Sequence, residues 1–166
     1  GGEYGDALDL QLHGRGVDAS ERDVECAGDG MMIRSATVTD EADCKRLFLA
    51  YCAATGEEGD AERFWQGRPQ EPNGTVLVLE VDGALVGFGS LLLSPLAVTP
   101  FILGVTQMFH VSPQATRYSG LLMRAGLRYY REKGCTRATM FCIEKAHAFW
   151  AKHKYRPLAT LMERTL

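Results

Sequence analysis

The sequence predicts an α/β domain: a mixed, largely antiparallel sheet with helices on both faces. Three observations predict it. From Met31 onward, stretches with strand-like patterning alternate with stretches whose apolar residues recur at helical spacing. An Asp82-Gly83 pair separates two β-rich runs, the signal of a two-residue hairpin. A strand-like run ending at Val111 is followed by a helical stretch and a further strand, the arrangement of a right-handed parallel crossover.

The elements follow in order. Residues 1–30 are rich in Gly and Asp, hold few large apolar groups and read as a flexible acidic leader. The domain is expected over residues 31–166. Met32–Ala36 is a short strand. Thr39 is a candidate N-cap, with Asp40 and Glu41 in a first turn whose dipole favours acids. Cys44, Leu47, Phe48 and Tyr51 carry the helical repeat, and Gly56 ends it. Ala61–Trp65 is a second, shorter helix. Thr75–Val81 and Ala84–Leu93 are the hairpin strands, and Leu103–Val111 is the next strand. Gly120–Lys133 is helical, with Arg131 and Lys133 in the last turn and Gly134 after it. Thr136–Cys142 is a strand, Glu144–His153 a helix and Tyr155–Arg164 a final strand. The order is β-α-α-β-β-β-α-β-α-β.

Composition narrows the function. No apolar run approaches the ~20 residues of a membrane helix, and the acidic N-terminus has no apolar signal core, so a cytoplasmic protein without membrane contact is the expectation. The five cysteines are irregularly spaced with no C-x-x-C pair, which argues for buried thiols rather than disulfides or a metal site. Residues 1–30 hold eight acids against two arginines, net −6, whereas residues 31–166 hold sixteen Lys and Arg against thirteen acids, net +3. A mildly basic domain suits an anionic small cofactor better than a nucleic-acid backbone.

The most informative segment runs from Val105 to Gly120 and into an arginine-bearing helix. A strand leads into a short loop holding Arg117 and Gly120, and a helix begins there. A helix start presents backbone N–H groups and partial positive charge, and Gly120 allows close approach, so a pyrophosphate would be welcome. Arg117, Arg124 and Arg128 add cationic charge.

Val111-Ser-Pro113 followed by Arg117-Tyr-Ser-Gly120-Leu-Leu122 resembles the pyrophosphate loop of the GNAT superfamily of acetyl-CoA-dependent N-acetyltransferases. Ala146-His-Ala-Phe-Trp150-Ala-Lys-His-Lys-Tyr155 resembles that family's late Ala-x-x-Phe-Tyr-x-x-x-Gly-Phe pattern, and Ile33–Asp43 its first strand and helix. The likeness extends over residues 31–166. Leu122 stands where a second small loop residue is usual, Trp150 where a Tyr is common, and Lys154 in place of a Gly.

The resemblance implies direct attack of an amine on the thioester of acetyl-CoA. It assigns Phe109, His110, Val111, Arg117, Tyr118, Ser119, Gly120, Leu121 and Leu122 to the cofactor. The strand near Phe109–Val111 would part from the one near Met140–Cys142 so that backbone groups hold the pantetheine arm, and a main-chain N–H there would polarise the carbonyl. A protonated amine must lose a proton, so a base is needed. Gln107 occupies the position of the base in some relatives and cannot serve. His110, His147 and Tyr155 are the candidate acid–base residues. Strict alternation puts His110 opposite Gln107 and Phe109; a bulge would change that. Phe64 and Trp65 line either the acceptor groove or the core. The acceptor is a small-molecule or protein amine. The alternative is a GNAT-like protein that binds an acyl-CoA or a partner with little or no catalysis. Monomer and homodimer both stay open.

Overall fold

A computed structural model of the chain describes residues 25–27, 30–66, 68, 72–95, 102–140, 142 and 146–157. Among these residues six strands form one sheet in the order of the chain: β1 (Glu25–Ala27), β2 (Met31–Ser35), β3 (Gly74–Val81), β4 (Ala84–Pro95), β5 (Ile102–Val111) and β6 (Cys135–Met140). Neighbours are antiparallel up to β5, and β5 pairs with β6 in parallel. The helices are α1 (Glu41–Thr55), α2 (Ala61–Trp65), α3 (Ser119–Glu132) and α4 (His147–Lys152).

Burial explains the layering. Val76, Val78, Leu85 and Phe88 point to one face and pack with Cys44, Leu47, Phe48, Cys52, Phe64 and Trp65 of α1 and α2. Ile33, Leu77, Leu79 and Leu91 point to the other and pack with Leu122, Ala125 and Tyr130 of α3. Alternate residues along β3 therefore feed two cores, the consequence of a period-two strand covered on both sides. Phe64 and Trp65 belong to the first core, each nearly fully buried.

Local chemistry sets the boundaries. Asp82 (φ 50°) and Gly83 (φ 79°) both take positive φ, as a two-residue hairpin turn that follows the strand twist requires, and Val81 pairs with Ala84 across it. Asp60 caps α2 by accepting from the N–H groups of Glu62 and Arg63 at 2.9 and 3.1 Å. Before α1, the cap is not Thr39, which lies within a 3-10 turn over Val38–Asp40. Thr37 starts that turn, and the Asp40 carboxylate accepts from the Thr37 N–H at 2.7 Å and its hydroxyl at 2.9 Å. Asp40 also takes a two-pronged contact from Arg34 at 2.7 and 2.9 Å, and the guanidinium reaches Glu80 on β3. The Arg34 bonds hold the Asp40 carboxyl down at about 2. This set ties the entry of α1 to two strands.

Three expectations change. Glu25–Ala27, read as leader, pairs antiparallel with β2, because the N–H and C=O groups on the outer side of β2 accept another strand. Cys142 is exposed rather than buried, because it follows β6 on open chain. Tyr155–Pro157 lie in no strand, since the turn that closes α4 runs through Tyr155; residues 158–164 of the expected last strand lie outside the described residues. Of the leader, residues 1–24, 28 and 29 also lie outside them. No helix among the described residues is long and apolar enough to cross a membrane.

Candidate active site

The site is built on the second half of β5. Pairing with β6 runs from Ile102↔Cys135 to Thr106↔Met140 and goes no further among the described residues, whereas β4 stays paired with β5 to Val111. Among the described residues, 107–111 therefore have a strand on one side only. At the start of this stretch Ser90 pairs with Met108 and Leu91 with Thr106, so Gln107 is the extra residue of a β-bulge.

The bulge resets which side chains share a face. Thr106 looks toward α3, where its hydroxyl meets Tyr130 Oη at 3.1 Å. Gln107 and Met108 both line a groove on the α1–α2 side, and His110 follows on that face, its ring 6.4 Å from Phe88. His110 thus shares a face with Gln107, against strict alternation. Phe109 and Val111 pack on the α3 side.

The groove is open, about 850 Å³, and lies between the α1–α2 segment and β5. Phe48, Phe64 and Met108 supply apolar wall, Glu58 and Asp60 an acidic edge, and Arg63 and Arg68 cationic groups. At its floor Arg68 donates to Ser90 Oγ and, at 3.0 Å, to Gln107 Oε1; Ser90 is fully buried. This network was not anticipated from sequence. The one hint was a serine inside the apolar run 84–93, a polar group that must find a partner once buried.

His110 is half-buried. Its Nε2 is sealed from solvent and has no hydrogen-bond partner among the described residues. Burial pulls its pKa below the ordinary 6.5, so the neutral imidazole, able to accept a proton, persists below that pH.

On the other face an aromatic group covers the free part of β5. Trp150 is buried against Phe109 at 5.2 Å, Phe149 at 4.9 Å and Tyr155 at 5.2 Å. Burial raises the Tyr155 pKa, keeping the phenol protonated through the neutral range. Tyr155 lies with Phe109 and Trp150 on the α3 side, so it and His110 approach β5 from opposite faces. His147 is exposed on α4 and makes no hydrogen bond or ring contact among the described residues, so the fold does not bring it to the other candidates.

The loop after β5 is more ordered than expected. Pro113–Tyr118 form a 3-10 helix that passes straight into α3, and the Ser119 N–H already bonds Thr116 O at the junction. The first turn of α3 therefore offers fewer backbone donors than an abrupt helix start would. Arg117 folds onto Tyr118, donating to its hydroxyl at 2.7 Å with the guanidinium 4.6 Å from the ring centre. Ser119, Gly120 and Leu121 are partly exposed. Leu122 is 1% exposed and sits in the core with Leu77 and Leu91, so its side chain cannot face a ligand. One position along a helix turns the side chain by about 100°, here from the rim into the core. Among the described residues no group of three His, Cys, Asp or Glu is placed to hold a metal ion.

Comparison with known proteins supplies the remaining evidence. The model of the Acetyltransferase (GNAT) family matches residues 41–155. An aminoglycoside acetyltransferase, meta-AAC0020 from an uncultured soil metagenomic sample, superposes with a TM-score of 0.70 at 17% identity over 84% of this chain and 98% of its own. Glucosamine-6-phosphate N-acetyltransferase from Arabidopsis thaliana gives 0.65 at 16% over 81% and 97%. A predicted acetyltransferase from Clostridium acetobutylicum, solved with acetyl-CoA, gives 0.69 at 11% over 81% and 96%. No curated protein sequence matches the chain.

Proposed function

Because the chain belongs to the GNAT acetyltransferase family, we propose that it transfers an acetyl group from acetyl-CoA to a primary amine bound in the groove beside β5, by direct attack in a ternary complex. The observation that carries this reading is the stretch 107–111 of β5, bulged at Gln107 and, among the described residues, paired on one side only, with that free backbone beside the start of α3.

The residues present fit the cofactor. The free N–H and C=O groups of β5 suit the amides of a pantetheine arm, as an added strand would. Gly120 puts no side chain on the first turn of α3, where the His153 ring and the Arg124 guanidinium now stand in contact with it, and Arg117 and Arg124 bring cationic charge there. When bound, acetyl-CoA supplies an activated acetyl thioester.

The chain's own groups then have distinct tasks. The main-chain N–H groups near Phe109–Val111 are donors for the thioester oxygen, where negative charge develops. The groove holds the acceptor so that its nitrogen meets the acetyl carbon, and such positioning accounts for much of the rate. His110, neutral and on the groove side of β5, takes the amine proton after a turn of its ring that uncovers Nε2, which the structure holds sealed from solvent and without a partner among the described residues. Tyr155, protonated, donates to the departing sulfur in place of Trp150, whose indole N–H is no useful acid. The C–N bond forms, the C–S bond breaks, and the protons lost and gained balance. The groove's size suits a small amine as acceptor, and its lining balances Glu58 and Asp60 against Arg63 and Arg68, so polar contacts rather than net charge would select it.

Release of CoA thiol from acetyl-CoA, followed with a panel of amines, tests the proposal: turnover with at least one amine is expected. A second reading, a GNAT fold that binds acyl-CoA without turnover, draws on Trp150 and the core-buried Leu122. Binding of acetyl-CoA with no transfer to any acceptor supports it, and absence of binding defeats both. Arg117→Ala is expected to raise the KM for acetyl-CoA, because one charge-assisted contact, about 1.5–3 kcal/mol, is lost. Steady-state kinetics with acetyl-CoA varied checks this, and an unchanged KM removes Arg117 from the phosphate site.

A further inference from the structure

Gln107 takes no proton in the scheme above, yet the fold gives it a specific place. It is the extra residue of the bulge, so its side chain joins Met108 on the α1–α2 face. Its Oε1 accepts from Arg68 Nη2 at 3.0 Å and from Ser90 Oγ at 3.3 Å. Arg68 also donates to Ser90 Oγ, and Ser90 is fully buried on β4. The guanidinium stands 5.4 Å from the centre of the Phe64 ring. Two donors on one oxygen fix which way round the amide sits, and its NH2 group is the end that faces away from them.

That NH2 group makes no hydrogen bond among the described residues. Among the same residues His110 Nε2 is the one sealed side-chain nitrogen or oxygen without a partner, so the Gln107 nitrogen is reached by solvent. Gln107 lines the groove with Phe48, Phe64 and Met108, and the solvent it meets is that of the groove. The groove floor thus carries a donor held in place between apolar walls. It lies three residues before His110 on the same face of β5, roughly 10 Å along the strand.

That spacing sets what an acceptor must bring. A molecule whose amine meets the acetyl group beside His110 runs its carbon chain back past the apolar walls to Gln107. If it is hydrocarbon there, it strips water from the amide N–H groups and leaves them unpaired. If it ends in an ammonium, donor meets donor. An oxygen replaces the lost water and keeps the bond.

We infer that Gln107 is a specificity-determining residue that selects acceptor amines carrying a hydroxyl or carbonyl oxygen further along their chain, with Arg68 and Ser90 holding its amide in the donating orientation. The inference rests on the acetyl-transfer reading above and names the acceptor class for that site.

CoA release by the full chain, followed with amino alcohols, alkylamines and diamines of equal chain length, tests it. The wild type is expected to favour the alcohol over the alkylamine about tenfold in kcat/KM. Gln107→Leu is expected to erase that preference. Gln107→Glu keeps an oxygen for Arg68 and Ser90 but turns the NH2 donor into an acceptor. It is expected to raise the ratio of diamine to alcohol about tenfold over the wild type. Ratios between acceptors cancel whatever is common to all of them, including a reduced folded fraction or a new base. A wild type that does not favour the alcohol overturns the inference. So does a Leu variant that keeps the preference, or a Glu variant with the wild-type ratio. If other amines are acetylated and none of these is, the inference fails alone; if the chain neither binds acetyl-CoA nor releases CoA with any amine, the acetyl-transfer reading fails with it.

Discussion

Replacing His110 with alanine is expected to lower kcat/KM about 100-fold or more and to change the pH profile with it. General-base catalysis by a positioned side chain contributes about 10²–10⁴. Only the neutral imidazole accepts a proton. Burial against Phe88 lowers the His110 pKa below 6.5, so the active form is present above that depressed value and is lost as pH falls through it. The wild-type profile should therefore show an ascending limb with a midpoint below 6.5, and His110→Ala should lack that limb. The same burial has a stability consequence of the same sign. The unfolded chain binds the proton more readily, so this site destabilises the fold as pH drops below 6.5 and is neutral above it. Profiles of kcat/KM from pH 5 to 9 decide the matter: a variant that keeps the wild-type limb exonerates His110.

The second large effect is structural. Phe88→Ala should cost about 3–5 kcal/mol, the range for deleting a buried aromatic ring. Phe88 is fully buried on β4. Its ring stands edge-on to Phe64 at 5.5 Å and to Tyr51 at 6.4 Å, joining α2 and α1 to the sheet, and tilted to His110 at 6.4 Å. Against a total of about 5–15 kcal/mol for a domain, that loss is large. Urea unfolding measures it. Because Phe88 also backs the candidate base, the folded fraction of this variant should turn over slowly, whereas Leu47→Ala, a comparable cavity within α1, should destabilise with a smaller effect on kcat. Equal kcat losses in both would show that the ring contact with His110 does not matter.

These predictions also mark what a sequence can carry. The hairpin was legible because Asp82-Gly83 has one favourable geometry, and α2 spans the expected Ala61–Trp65, its start fixed by Asp60, a cap the sequence reading did not single out. Local chemistry decided both. The cap of α1 is Asp40 rather than Thr39, and Thr37 opens the 3-10 turn before it, an arrangement that only the distant Arg34 and Glu80 favour. The bulge at Gln107 is a matter of register between two strands, and no residue in 105–111 announces it. Yet it decides which face His110 takes. The Arg68–Ser90–Gln107 contacts join positions 17 to 39 residues apart and so leave no periodic trace. Leu122 was assigned to the ligand by its place in a motif, and the motif alone did not tell that its side chain would be buried in the core beside Leu77 and Leu91.

The short β1 has a consequence for handling the protein. Gly30, at φ 66°, accepts a bond from the Asp82 N–H with its carbonyl, and a Cβ there would collide with the Asp82 carboxylate, so the approach to β2 tolerates no other residue without adjustment. A version trimmed to begin at Met31 would strip the outer flank of β2 and leave a bare row of amide and carbonyl groups ready to zip onto another copy. Poor solubility of such a trimmed protein would then reflect that bared flank and not a defect in the proposed acetyl-transfer site at the far side of the sheet.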